Sequence, residues 1–291
     1  MKYIREYQVF EASASPAALT EEQIEWLDKC VNGSWKLNPQ TGLINVDGGF
    51  NCSEQGLTDL KGVKFGKVSG DFTCYRNQLT ALVGAPQTVG VDFRCGSNQL
   101  TTLEGAPQSV GRGFDCYGNQ LTSLEGAPQS VEGDFHCYRN HLTTLEGAPQ
   151  TVGGYFHCEH NQLTTLVGAP KSVDGYFDCD NNQLTTLEGA PQSVGLSFYC
   201  ENNQLTTLEG APQSVGGNFY CGGNPVTAST LKAIFALMKS GKPYQQALEK
   251  RWPKMKDVDR VLMYKEMSNL SPEDIRKYKA LATYNNIKDY L

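Results

Sequence analysis

Eight cysteines recur at a single interval. Cys74, Cys95, Cys116, Cys137, Cys158, Cys179, Cys200 and Cys221 follow one another every 21 residues, and Cys52 precedes the first of them by 22. The text around each is nearly the same, as in Phe135-His136-Cys137-Tyr138-Arg139-Asn140-His141-Leu142-Thr143-Thr144-Leu145-Glu146-Gly147-Ala148-Pro149. A fixed period of this size marks a solenoid, in which one turn alone buries little and stacked turns share a continuous core. The one longer interval places an extra residue around Lys64-Phe65-Gly66-Lys67.

Residue types divide the work within a turn. Phe-x-Cys alternates with period 2, so Phe and Cys face one side of a short strand and the residues between them face the other. The Asn three positions after each Cys stands where the strand ends. Its amide can bond the backbone of adjacent turns, so the copies at 77, 98, 119, 140, 161, 182, 203 and 224 form a ladder. Leu-Thr-x-Leu buries two further apolar side chains. Gly-Ala-Pro cannot continue a helix, so the convex side should be turns and extended chain.

This pattern resembles the leucine-rich-repeat family, L-x-x-L-x-L-x-x-N-x-L, with Phe and Cys in the two apolar strand positions. The resemblance runs from Phe50 to Asn224. The short period without convex helices is similar to the bacterial class, including the repeat domains of ubiquitin-ligase effectors from enteric pathogens. The near-identical Leu-Glu-Gly-Ala-Pro-Gln-Ser-Val-Gly units also resemble repeat proteins of bacteria and their phages. The resemblance implies an α/β leucine-rich-repeat solenoid of about nine turns, with a parallel concave sheet, a turn-rich convex side and helical caps at both ends.

The ends fit that expectation. Thr20-Glu21-Glu22-Gln23 is a capping-box start, Ile24, Trp26, Leu27 and Val31 supply an apolar face, and Gly33 is expected to end the helix. Residues 34–38 and 43–47 read as a hairpin through Pro39-Gln40-Thr41-Gly42. Gln55 replaces the ladder Asn in the first turn, and Asn224-Pro225 closes the last. Helical periodicity then takes over, with a strong helix start at Ser271-Pro272-Glu273-Asp274. The chain therefore divides into an N-terminal cap (1–48), the solenoid (49–225) and a C-terminal helical cap or small module (226–291).

Charge narrows the partners. Residues 226–291 carry 13 Lys+Arg and 7 Asp+Glu, net +6, whereas the rest carry 12 and 24, net −12. An acidic body argues against nucleic acid, which needs clustered positive charge. No run reaches the roughly 20 apolar residues of a membrane span, and the start lacks an apolar leader, so a cytoplasmic protein is expected.

The outward strand positions carry the functional signal, because the core does not constrain them. Tyr117, Tyr138, Tyr155, Tyr176, Tyr199 and Tyr220 fall in neighbouring columns with His136, His157, Glu159, Asp178, Asp180 and Glu201. Tyrosine combines large contact area with low entropic cost, so this face is expected to bind a protein with a basic or mixed surface rather than a small molecule. The row Asp115, His136, His157, Asp178 carries zinc-type donors, but no orienting partners are legible, and neither metal nor cofactor is expected. No catalytic residue is expected either. A ubiquitin ligase needs a nucleophilic cysteine outside the repeats, and Cys30, on the apolar capping helix, is the sole non-repeat cysteine. The cysteines are expected to be packed, reduced thiols. The leading expectation is a non-enzymatic inhibitor or modulator of a host protein, encoded by a bacterium or bacteriophage. The alternatives are a structural spacer whose basic tail docks elsewhere and, behind it, a metal-dependent enzyme.

Overall fold

The computed structural model describes residues 18–225, so the expected C-terminal helices and basic tail lie outside the described residues. Thr20 opens α1 (Glu21–Cys30) with the reciprocal box its sequence encodes. The Thr20 hydroxyl accepts the Gln23 N–H, and the Gln23 side chain accepts the Thr20 N–H. The helix ends at Cys30, where Val31 turns extended, and not at Gly33 as the sequence suggested. Val31 belongs instead to β1 (Val31–Leu37), which pairs antiparallel with β2 (Ile44–Asn51) from Leu37 opposite Ile44 to Val31 opposite Phe50. Gly33 stands opposite Gly48 in that pair, at φ 135° and 123°.

From β2 onward the described chain is a solenoid of stacked parallel strands. Phe50, Phe72, Phe93, Phe114, Phe135, Phe156, Phe177, Phe198 and Phe219 stand in parallel register, each beside its copy one turn on. These nine rungs are joined by eight full turns of chain among the described residues. A second parallel ladder, unforeseen in the sequence, joins the Ser/Thr-Val pairs from Val68 through Val89 and Val152 to Val215. All 18 strands belong to one sheet. The limb between the Asn and the Val ladder is turns and bends, as the Gly-Ala-Pro run dictates. The extra residue of the first interval is absorbed in β3 (Phe65–Val68), which shifts register against Ile44 and Val46 and buries Phe65.

The core is a set of stacked columns. Phe rings stand 5.2–5.6 Å apart from Phe72 to Phe219, near-parallel, each contributing about 1.5–3 kcal/mol through burial. Every described cysteine is a free, buried thiol. Several donate to the strand carbonyl of the next turn, as Cys137 Sγ does to His157 O. Burial raises these thiols, Cys74 to about 12. Each buried Asn donates to two cysteine carbonyls and accepts a leucine N–H. Asn140 bonds Cys116 O and Cys137 O and accepts from Leu121, all at 3.0–3.1 Å. To aim that amide inward, the preceding residue takes left-handed backbone, φ 52° at Arg76 and 53° at Arg139.

The first rung is covered by α1. Trp26 packs edge-on against Phe50 at 5.2 Å and Phe65 at 6.5 Å. Gln55 takes part in this cap instead of the Asn ladder. It accepts the Trp26 indole N–H and donates to Cys30 Sγ. Lys61 adds an ion pair to Glu22 at 2.7 Å.

Candidate functional site

The residues between and flanking the Phe–Cys positions point away from the core, and all twelve candidates lie half-exposed or exposed on this strand face. In-register stacking sets neighbouring turns about 4.8 Å apart, close enough for rings on adjacent turns to touch. Tyr117 stacks on Tyr138 at 4.8 Å, Tyr155 on Tyr176 at 4.9 Å, and Tyr199 on Tyr220 at 4.7 Å. The histidines bridge the first two pairs. His157 meets Tyr138 at 6.5 Å, Tyr155 at 6.2 Å and His136 at 5.0 Å, all edge-on. Tyr176 meets Tyr199 at 5.9 Å. The result is one aromatic ribbon across six turns, crossing from the column after Cys to the columns before it.

Small residues make the ribbon possible. A Cβ at Gly96 would stand 2.7 Å from the Tyr117 ring, and one at Gly175 would stand 2.3 Å from the Tyr155 ring. The tyrosines lean over these bare backbones, a tilt that a column listing of residue types does not reveal.

The acidic candidates gather at one place beside the ribbon. Asp178 Oδ1 accepts the Asp180 N–H at 2.9 Å, and Asp180 Oδ1 accepts the Glu201 N–H. His157 Nδ1 lies 3.4 Å from Glu159 Oε2. Burial raises the Asp178 carboxyl to about 6, and burial together with the Asp178 charge raises Asp180 to about 8. Burial works against the charged His157 ring, but the Glu159 contact and the surrounding carboxylates outweigh it and raise its pKa. His136 moves the other way, lowered by burial and by His157.

On the other flank lies a feature not singled out from the sequence. A groove of about 230 Å³ is lined by Asp92, Arg94, Arg112, Asp115, Asp134 and His136. Arg94 pairs with Asp92 and, at 3.6 Å, with Asp71. The signal was present in the column before Phe, which holds Asp71, Asp92 and Asp134, and in the two arginines. Reading the columns for tyrosine passed over it.

Asp115 in this groove is raised to about 6 by burial, against the Tyr117 N–H and Arg94, which lower it. A carboxyl raised in the folded state is harder to ionise there than in the unfolded chain, so the folded state loses stability as pH rises from its ordinary value of 3.8 through about 6. Asp115→Asn, which keeps an oxygen for the Tyr117 N–H, is therefore expected to melt a few degrees above the wild type at pH 7.5, at about 2–4 °C per kcal/mol for a chain of this size. The gap should close near pH 4. Equal melting temperatures at both pH values would show that Asp115 is solvated enough to ionise freely.

No family model matches the chain, and no curated protein matches it. Among solved structures it is similar to YopM from Yersinia enterocolitica WA-314, at TM-score 0.33 and 16% identity, over 62% of this chain and 56% of YopM. The chain thus spans little more than half of that relative's length. Parallel register, an inward Asn in every described turn after the first and short strand-to-turn limbs give the described residues the architecture of a repeat solenoid, with phenylalanine and cysteine in its two strand positions.

Proposed function

We propose that this protein binds another protein through the strand face of the solenoid, without catalysing a reaction, and acts by occupying its partner as an inhibitor or modulator inside a bacterial cell. The carrying observation is the continuous aromatic ribbon from Tyr117 to Tyr220. Rings already stacked on one another lose little freedom when a partner covers them, which is the property that concentrates binding energy on tyrosine. The flanking charges select the partner's chemistry. Asp178, Asp180 and Glu201 suit lysine or arginine side chains, whose cations can also lie over the ring faces. The groove sets Arg94 and Arg112 among Asp92, Asp115 and Asp134, so a basic or mixed protein surface fits better than a uniformly basic one.

An affinity pull-down from bacterial lysate tests this by comparing wild type with Tyr155→Ala/Tyr176→Ala/Tyr199→Ala. A stoichiometric partner is expected with the wild type and none with the variant, because three central anchors at about 2 kcal/mol each amount to a loss of about ten-thousandfold. A partner retained by the variant but lost on deleting residues after 226 would move the function to the C-terminal segment.

A further inference from the structure

Alternate residues of a strand share a face, and adjacent turns stand in register, His157 beside Asp178. His157, Glu159, Asp178 and Asp180 therefore form the corners of one small square on the strand face. One ligand atom from each of His157, Glu159 and Asp178 lies within 4.8 Å of the other two. His157 Nδ1 and Glu159 Oε2 are already 3.4 Å apart. Ligands about 2.0–2.2 Å from a tetrahedral zinc ion stand at about that separation from each other.

Two further observations favour a cation at this square. Glu159 Oε2 is buried, and its one close polar neighbour among the described residues is the His157 ring nitrogen, 3.4 Å away. None of the three carboxylates pairs with Lys or Arg among the described residues, so His157 is the only counter-charge the square contains. A carboxylate in that position ordinarily has a donor or an ion. Orientation is also supplied. The backbone N–H of Asp180 holds Asp178 Oδ1 and leaves Oδ2 free, the kind of support a metal ligand needs. The sequence alone offered no such support, which is why the donor row was not read as a site there.

We propose that the square binds one divalent transition-metal ion through His157, Glu159 and Asp178, with Asp180 beside them. One imidazole with carboxylates suits zinc or manganese better than calcium or magnesium, which favour oxygen alone. The ion would hold three neighbouring side chains in the middle of the aromatic ribbon. The site stands independently of whether that ribbon grips a protein.

The test is calorimetric titration of the full chain, stripped with chelator, using zinc chloride. One equivalent per chain is expected, with no saturable heat from magnesium chloride at the same concentration. His157→Gln and Asp178→Asn should each weaken zinc at least tenfold, while His141→Gln, on the surface beside Gln162, should leave it unchanged. Circular dichroism checks that each variant is folded, and either folded variant alone suffices. Cobalt in place of zinc should show d–d bands without thiolate charge transfer. No saturable zinc binding, unchanged affinity in the folded variants, or a thiolate band would each overturn the site. The Tyr155/Tyr176/Tyr199 variant should keep its zinc even when its protein partner is lost, which separates the two proposals.

Discussion

Asn140→Ala is expected to destabilise the solenoid by about 3–5 kcal/mol, a large share of the 5–15 kcal/mol that holds a typical protein folded. The cysteine carbonyls it serves each keep one partner, since Cys116 O still accepts Asn119 and Cys137 O still accepts Asn161. Leu121 N–H keeps none, because the Asn140 amide oxygen is the acceptor the structure provides. An unpaired buried N–H costs about 1–3 kcal/mol, two lost amide bonds add about 0.5–1.5 each, and the vacated volume adds more. Turns contact only their neighbours, so the defect is local and weakens the coupling between the halves on either side. Urea unfolding should show a lower midpoint and a broadened or split transition, and hydrogen exchange should rise around residues 119–142. A loss below about 1 kcal/mol would show that water can take the place of the ladder amide.

Gly48→Ala should release the N-terminal cap. Gly48 stands at φ 123°, and a Cβ there would lie 2.1 Å from the Asn32 carbonyl oxygen. Backbone atoms cannot yield that distance, so β1 must move away from β2 and take α1 with it. The first rung then loses Trp26, Leu27 and Cys30, all buried against it. The expected result is a red-shifted tryptophan emission, rapid proteolysis between α1 and β2, and an upper transition from the remaining turns. Backbone strain and lost burial together should cost about 3 kcal/mol or more. A variant with native emission and protease resistance would mean that the hairpin accommodates the methyl group by a register change. In that case the glycine pair is not required for capping.

How much of this was legible differs by element. The hairpin followed from two alternating runs around Pro39-Gln40-Thr41-Gly42. The helix start followed from Thr20 and Gln23, whose side chains meet their own backbone three residues away. The helix end was misplaced because Gly33 carries the usual stop signal. Its positive φ serves the close approach to Gly48, a contact made 15 residues away in sequence. Left-handed turns at Arg76 and Arg139 carry no glycine, so their side chains give no hint of the conformation that the Asn ladder imposes.

The repeat by itself determined the solenoid and its Phe, Cys, Leu and Asn columns. It could do so because each residue's neighbour in space is its own copy one period later, so a linear pattern is also a contact map. Only the tertiary structure decided how unlike residues in different columns meet. It set Tyr117 over Gly96, joined two tyrosine pairs through His157, and put His157 beside Glu159 with Asp178 across the strand gap. Those contacts depend on side-chain rotamers and on backbone tilt between turns, and neither is written in the spacing of residues along the chain.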